Sequence, residues 1–129
     1  MRRVVVTGMG MVTPLGIGLE HVWRRLVNGE SGIRAIQSFD TETLACKVAG
    51  QVPAGTKTDG KLDISEWVPV KDQKKMDRFI HLAMVAATQA VEDSGWNPET
   101  EDDRCATGVM IGSRDRRARD DLRSIHPGA

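Results

Sequence analysis

From Lys71 to Ser94 the chain runs for 24 residues without a glycine or a proline. Within that stretch Met76, Ile80, Ala83, Ala87 and Val91 recur at helical spacing, and Phe79, Leu82, Val85, Ala86 and Ala90 widen the same stripe. A repeat of that period and width predicts one long helix over 71–94. Its second half is apolar on most sides, and such a helix is stable only when other layers cover it. Gly95 follows as a left-handed cap, and Asn97-Pro98 prevents continuation. The rest of the chain must therefore supply covering layers.

The flanking segments suggest what those layers are. Arg3 to Thr7 is a compact β-branched run stopped by Gly8, which fits a buried parallel strand. Thr107 to Ile111 repeats that pattern and ends at Gly112. Leu19, Val22, Trp23, Leu26 and Val27 form one apolar stripe and predict a second helix, with Gly29 just past its end. Ala45 to Val52 reads as a strand weakened by Gly50. Residues 30–43 read as irregular, 53–69 as a loop and 99–104 as an acidic loop. Strand, helix, strand, helix, strand predicts an α/β class with parallel pairing. A length of 129 residues fits one domain.

Charge and cysteine content remove several function classes. Eighteen basic side chains balance eighteen acidic ones, which argues against a dedicated nucleic-acid binder. The longest uncharged stretch, Val4 to Leu19, is interrupted by four glycines and Pro14, whereas a spanning helix needs about 20 apolar residues. No membrane association is expected. Two cysteines cannot build a disulfide framework or a four-cysteine zinc site, and a reduced, cytosolic compartment is expected. Neither Cys46 nor Cys105 has the helix N-terminus or neighbouring base that activates a thiol, so both read as small packed residues. His21, His81 and His126 share no spacing with a second metal ligand, and no metal or cofactor is expected.

Two motifs invite a functional reading. Gly8-x-Gly10 after a strand resembles the start of a dinucleotide fingerprint, but Thr13 stands where the third glycine belongs, so a tight turn is the better reading. Lys71, Lys74, Lys75 and Arg78 fall at i, i+3, i+4 and i+7 on the first turns of the long helix. Cations are disfavoured at that end of a helix dipole. The stripe is therefore either a docking face for an acidic partner or a solvated face partly neutralised by Asp72 and Asp77.

Taken in order, the motifs resemble a specific family. Arg2-Arg3-Val4-Val5-Val6-Thr7-Gly8-Met9-Gly10-Met11-Val12-Thr13-Pro14-Leu15-Gly16 is similar to the opening of beta-ketoacyl (acyl carrier protein) synthases. The similarity continues through Trp23, Gly29-Glu30-Ser31-Gly32-Ile33, Phe39-Asp40, Lys75-Met76-Asp77-Arg78-Phe79, Asp93-Ser94-Gly95 and Gly108-Val109-Met110-Ile111-Gly112-Ser113. It covers residues 1–113 and is strongest to synthase II, the elongating enzyme of dissociated fatty acid synthesis. The resemblance implies the N-terminal part of a thiolase-like fold, with parallel strands and a long buried helix.

The resemblance also implies an activity and a partner. Members catalyse a decarboxylating Claisen condensation of acyl and malonyl groups carried by acyl carrier protein. They use a nucleophilic cysteine, two histidines and a lysine, and they are homodimers. That cysteine lies beyond position 129 in the family pattern, and the other groups lie further still. No catalytic role passes to Cys46, Cys105 or any other residue here, and the chain by itself is expected to be inactive and not to dimerise. Lys71, Lys74 and Lys75 match the positions where synthase II binds the acidic carrier protein. The alternatives are a carrier-binding module or a nonfunctional truncated product. After Ser113 the pattern changes: residues 114–129 hold five arginines, three aspartates and no lysine where the family continues with Gly-Ile-Gly-Gly. That tail is expected to be a solvated or disordered segment unrelated to the family, produced by truncation or a frameshift.

Overall fold

The computed structural model describes residues 3–112. The Arg-rich tail expected at 114–129 lies outside the described residues. The chain divides into two units, Met1–Asn97 and Pro98–Ala129. In the first, β1 (Val12–Thr13) and β2 (Gly16–Ile17) form a hairpin, followed by α1 (Leu19–Val27). Next come β3 (Ile33–Ala35) and β4 (Val48–Gly50), two short 3-10 turns at Lys57–Asp59 and Ile64–Glu66, α2 (Val70–Gln73) and α3 (Arg78–Ser94). The second unit contains α4 (Glu101–Ala106).

The glycines before the hairpin have a packing role. A Cβ on Gly10 would collide with the carbonyl oxygen of Ala86, and one on Gly8 with that of Ala90. The extended segment therefore lies directly on the backbone of α3. Its amides are satisfied by that helix: Met9 N–H donates to Asp93 Oδ2 at 2.9 Å and Met11 N–H donates to Gln89 Oε1 at 3.2 Å. Two residues of extended chain advance ~6.7 Å, and four residues of helix advance ~6 Å. The two spacings match, so alternate amides meet side chains one helical turn apart. These contacts account for the Gly8-x-Gly10 spacing as close backbone approach.

The hairpin and α3 share the core. Ile17, Leu62 and Val85 are buried together, with Val12, Val52, Ile64, Trp67 and Leu82 packed around them. In the hairpin, Val12 pairs with Ile17 and Thr13 with Gly16. The Thr13 hydroxyl accepts from Leu15 N–H at 3.1 Å, closing the Pro14-Leu15 turn. α1 has the bounds its apolar stripe implies, and Gly29 follows with φ 71°.

Four expectations are corrected. The runs 3–7 and 107–111 carry no strand, and the named strand pairs are antiparallel, β1 with β2 and β3 with β4. A β-branched run becomes a strand only when a neighbour pairs with it, and Val4 retains 92% of its surface among the described residues. The long helix is divided: α2 ends at Gln73 and α3 begins at Arg78. Lys75 N–H bonds to Asp72 O, and Met76 N–H to Gln73 O, tightening the chain out of α-helical geometry. Asp77 then takes the extended N-cap conformation, φ −76° and ψ 159°, from which α3 starts. Among the described residues α3 is packed on one side: Val85 is fully buried, whereas Met84 and Val91 are exposed. Residues 101–106 are helical rather than loop, because the Thr100 hydroxyl accepts from Asp103 N–H and three acidic side chains occupy the first turn.

Candidate functional site

The α2–α3 junction brings Lys71, Lys74 and Lys75 to the surface. Underneath, Val68 is fully buried. Gln73 Nε2 donates to Val68 O at 2.8 Å and lies 3.5 Å from Ser65 Oγ, tying α2 back onto the preceding turn. Pro69 O accepts the amides of Asp72 and Gln73. This one-turn helix cannot be stable in isolation; its anchors hold it in place. Lys71, Lys74 and Lys75 are all exposed.

The cations are not one helix stripe. Lys71 lies within α2, Lys74 caps its end with φ −68° and ψ −17°, Lys75 is in the turn, and Arg78 opens α3. Lys75 pairs with Asp72 at 3.4 Å. That pair is exposed, and such pairs contribute ~0–1 kcal/mol. Lys71 and Lys74 stand in no ion pair among the described residues. The dipole argument also changes, because a lysine at the end of α2 is at its favourable, C-terminal end. The arrangement presents a compact cationic surface that can attract an anionic one but contains no nucleophile or proton-transfer pair.

A cleft of about 410 Å³ lies in the same unit, between the hairpin, α3 and the 53–67 loop. Its walls include His21, Lys57, Trp67, Gln89, Glu92 and Asp93. The Lys57 ammonium lies 4.5 Å from the Trp67 ring centroid. The His21 ring fills the space above Gly60 that a side chain there would need. Sequence patterning did not single out Lys57 or Trp67. They are ten positions apart in a segment without periodicity, and the only available signal was an aromatic residue near a lysine-bearing loop.

The cysteines do not pack as expected. Cys46 and Cys105 are free and exposed. Cys46 Sγ donates to Val48 O at 3.3 Å just before β4, and Cys105 lies in α4. Both lie on short elements, beside β4 and within α4, and both thiols are left exposed among the described residues. Among the described residues no group of three His, Cys, Asp or Glu side chains could hold a metal ion. No described helix is long and apolar enough to cross a membrane.

Comparison with known proteins places the chain in a family. Residues 1–127 match the family described as beta-ketoacyl synthase, N-terminal domain. The chain is 47% identical over 113 residues to "3-oxoacyl-[acyl-carrier-protein] synthase 2" of Rhizobium meliloti, covering 88% of this chain and 27% of that protein. It is 45% identical over 125 residues to the mitochondrial 3-oxoacyl-[acyl-carrier-protein] synthase of Arabidopsis thaliana, covering 86% of this chain and 26% of the relative. Among solved structures, "The ishigamide ketosynthase/chain length factor" matches with a TM-score of 0.61 and 38% identity over 79% of this chain and 23% of that one. The chain thus spans about a quarter of the length of the curated relatives it matches.

Proposed function

The chain belongs to the beta-ketoacyl synthase family, folded as the N-terminal part of a thiolase-like ketosynthase, and we propose that it serves a 3-oxoacyl (acyl carrier protein) synthase of fatty acid elongation. In that reaction a cysteine thiolate takes an acyl group from its carrier thioester. Malonyl carrier protein then loses carbon dioxide, and the resulting carbanion attacks the acyl carbonyl. The carbon–carbon bond forms as the thiolate leaves. Covalent catalysis of this kind requires an activated nucleophile. Cys46 and Cys105 are free and exposed, and neither is proposed for that role.

Its own contribution is carrier docking. Lys71, Lys74 and Lys75 receive the acidic surface of acyl carrier protein, in the cytosol. The observation supporting this is their joint exposure on an anchored turn, in a chain whose relatives' names specify a carrier-bound product. Opposite charge at such a rim accelerates and orients encounter. The test is a titration of isotope-labelled acyl carrier protein with the purified chain. Shifts confined to the carrier's acidic surface are expected, with no acyl transfer to either cysteine. A covalent acyl adduct on Cys46 or Cys105 formed at an enzymatic rate, or no carrier shift at low salt, overturns the proposal.

A second reading, a product that cannot complete its core, is favoured by one observation. Among the described residues, Val4, Val6, Val109 and Met110 each retain more than three-quarters of their surface. Unpaired apolar runs of that kind promote nonspecific association, and a discrete homodimer is not expected. A cooperative unfolding transition of the monomer argues against this reading.

A further inference from the structure

We infer that the carrier-docking surface does not end at α2 but continues onto the 53–62 loop, with Lys57 as a preorganised cationic contact for the acidic partner. This rests on the docking reading above and extends it to residues for which neither the charge pattern nor the family resemblance assigned a role.

The loop is built as a fixed platform. Its neck is closed by Leu62 N–H donating to Pro53 O at 2.8 Å and Gly55 N–H donating to Leu62 O at 3.1 Å. Its tip turns on Gly60 N–H to Lys57 O at 2.9 Å, and Ile17 N–H of the hairpin holds Gly60 O at 2.9 Å. Leu62 is buried in the core. A lysine on such a loop is placed by the fold rather than free to drift.

The side chain is placed as well. Lys57 lies over the face of Trp67 at 4.5 Å from the ring centroid. A ring face attracts an ammonium by its quadrupole and leaves the opposite side of the ammonium free for an acceptor. Trp67 precedes Lys71 by four residues, and in the turn between them Val68 O accepts from Gln73 Nε2. Lys57 is exposed and stands in no ion pair among the described residues. Lys61, on the same loop, is paired with Asp59 at 3.8 Å. The two lysines therefore differ in the way that separates a directed contact from a neutralised one. The partner chemistry is that of a carboxylate-rich protein surface: a lysine already ordered on an aromatic ring loses less side-chain freedom on pairing than an unrestrained one.

The test uses the full chain and fluorescently labelled acyl carrier protein at low salt. Lys57→Glu is compared with Lys61→Glu, an identical charge change on the same loop, and with Lys74→Glu/Lys75→Glu. Lys57→Glu is expected to weaken binding about threefold to tenfold, and Lys61→Glu by less than about twofold. Lys57→Gln should give an intermediate loss, and circular dichroism establishes that each variant keeps its helices. In a lysine-methylation footprint, the carrier should protect Lys57 and leave Lys61 reactive. Equal losses from Lys57→Glu and Lys61→Glu overturn the inference as general charge attraction. Unchanged binding by Lys57→Glu with loss in the Lys74→Glu/Lys75→Glu variant overturns it and leaves the docking reading standing. Absence of binding by the unmodified chain removes both.

Discussion

Replacing Gly10 by alanine tests how the first unit is held together. The added Cβ would lie far inside contact distance of the Ala86 carbonyl oxygen, which is helix backbone and cannot rotate away. The extended segment must lift from α3, and overpacking of this kind costs about 1–3 kcal/mol. Lifting also lengthens the bonds from Met9 N–H to Asp93 and from Met11 N–H to Gln89. Hydrogen bonds contribute about 1 kcal/mol each, more to a carboxylate. With each of the two bonds about half lost, Gly10→Ala should destabilise the unit by about 2–4 kcal/mol. The control is Gly108→Ala, where the new Cβ meets nothing within 4 Å, and a change within ±0.5 kcal/mol is expected. Urea titration followed by tryptophan fluorescence reads both, with Trp67 packed against the core. Equal midpoints for Gly10→Ala and Gly108→Ala would refute the packing account and return the Gly8-x-Gly10 spacing to an unexplained turn.

Other substitutions probe separate elements. Val85→Ala removes two methyl groups from a fully buried position and should cost about 2 kcal/mol in the same titration; no change would mean that α3 is not packed on the hairpin. Thr100→Ala deletes the hydroxyl that receives Asp103 N–H and should cost α4 about 1 kcal/mol, read as faster amide exchange at Asp103 with the exchange of α3 unaltered.

Local signals were legible where a single element satisfies itself. α1 is contained in its own stripe, Leu19 to Val27, and Gly29 marks its exit. The end of α3 is likewise fixed by Gly95, with φ 63°. The start of α3 was not legible from breakers, because residues 74–77 contain neither glycine nor proline. Its signal was Asp77, an N-cap residue ahead of an apolar run. Thr100 before three acidic residues was the corresponding sign for α4. β3 could not be read locally: Ile33, Arg34 and Ala35 become a strand by pairing with Gly50, Ala49 and Val48 across an intervening loop. The candidate site follows the same division. The lysine spacing was visible, but charge pattern alone favoured a solvated face slightly over docking. The resemblance supplied the partner, and the Lys57–Trp67 contact required the folded loop.

The most direct measurement is a salt-dependent titration of labelled acyl carrier protein against three forms of the full chain. The forms are unmodified, Lys74→Glu/Lys75→Glu, and Arg116→Glu/Arg117→Glu as a control with the same change of charge placed in the Arg-rich tail. The account predicts that the lysine variant loses about 1–3 kcal/mol of binding free energy at low salt. The loss should shrink toward high salt, since exposed charges are screened over ~10 Å at 0.1 M, and the tail variant should bind like the unmodified chain. Equal losses from the two variants, or a lysine loss independent of salt, would contradict carrier docking at the α2–α3 junction.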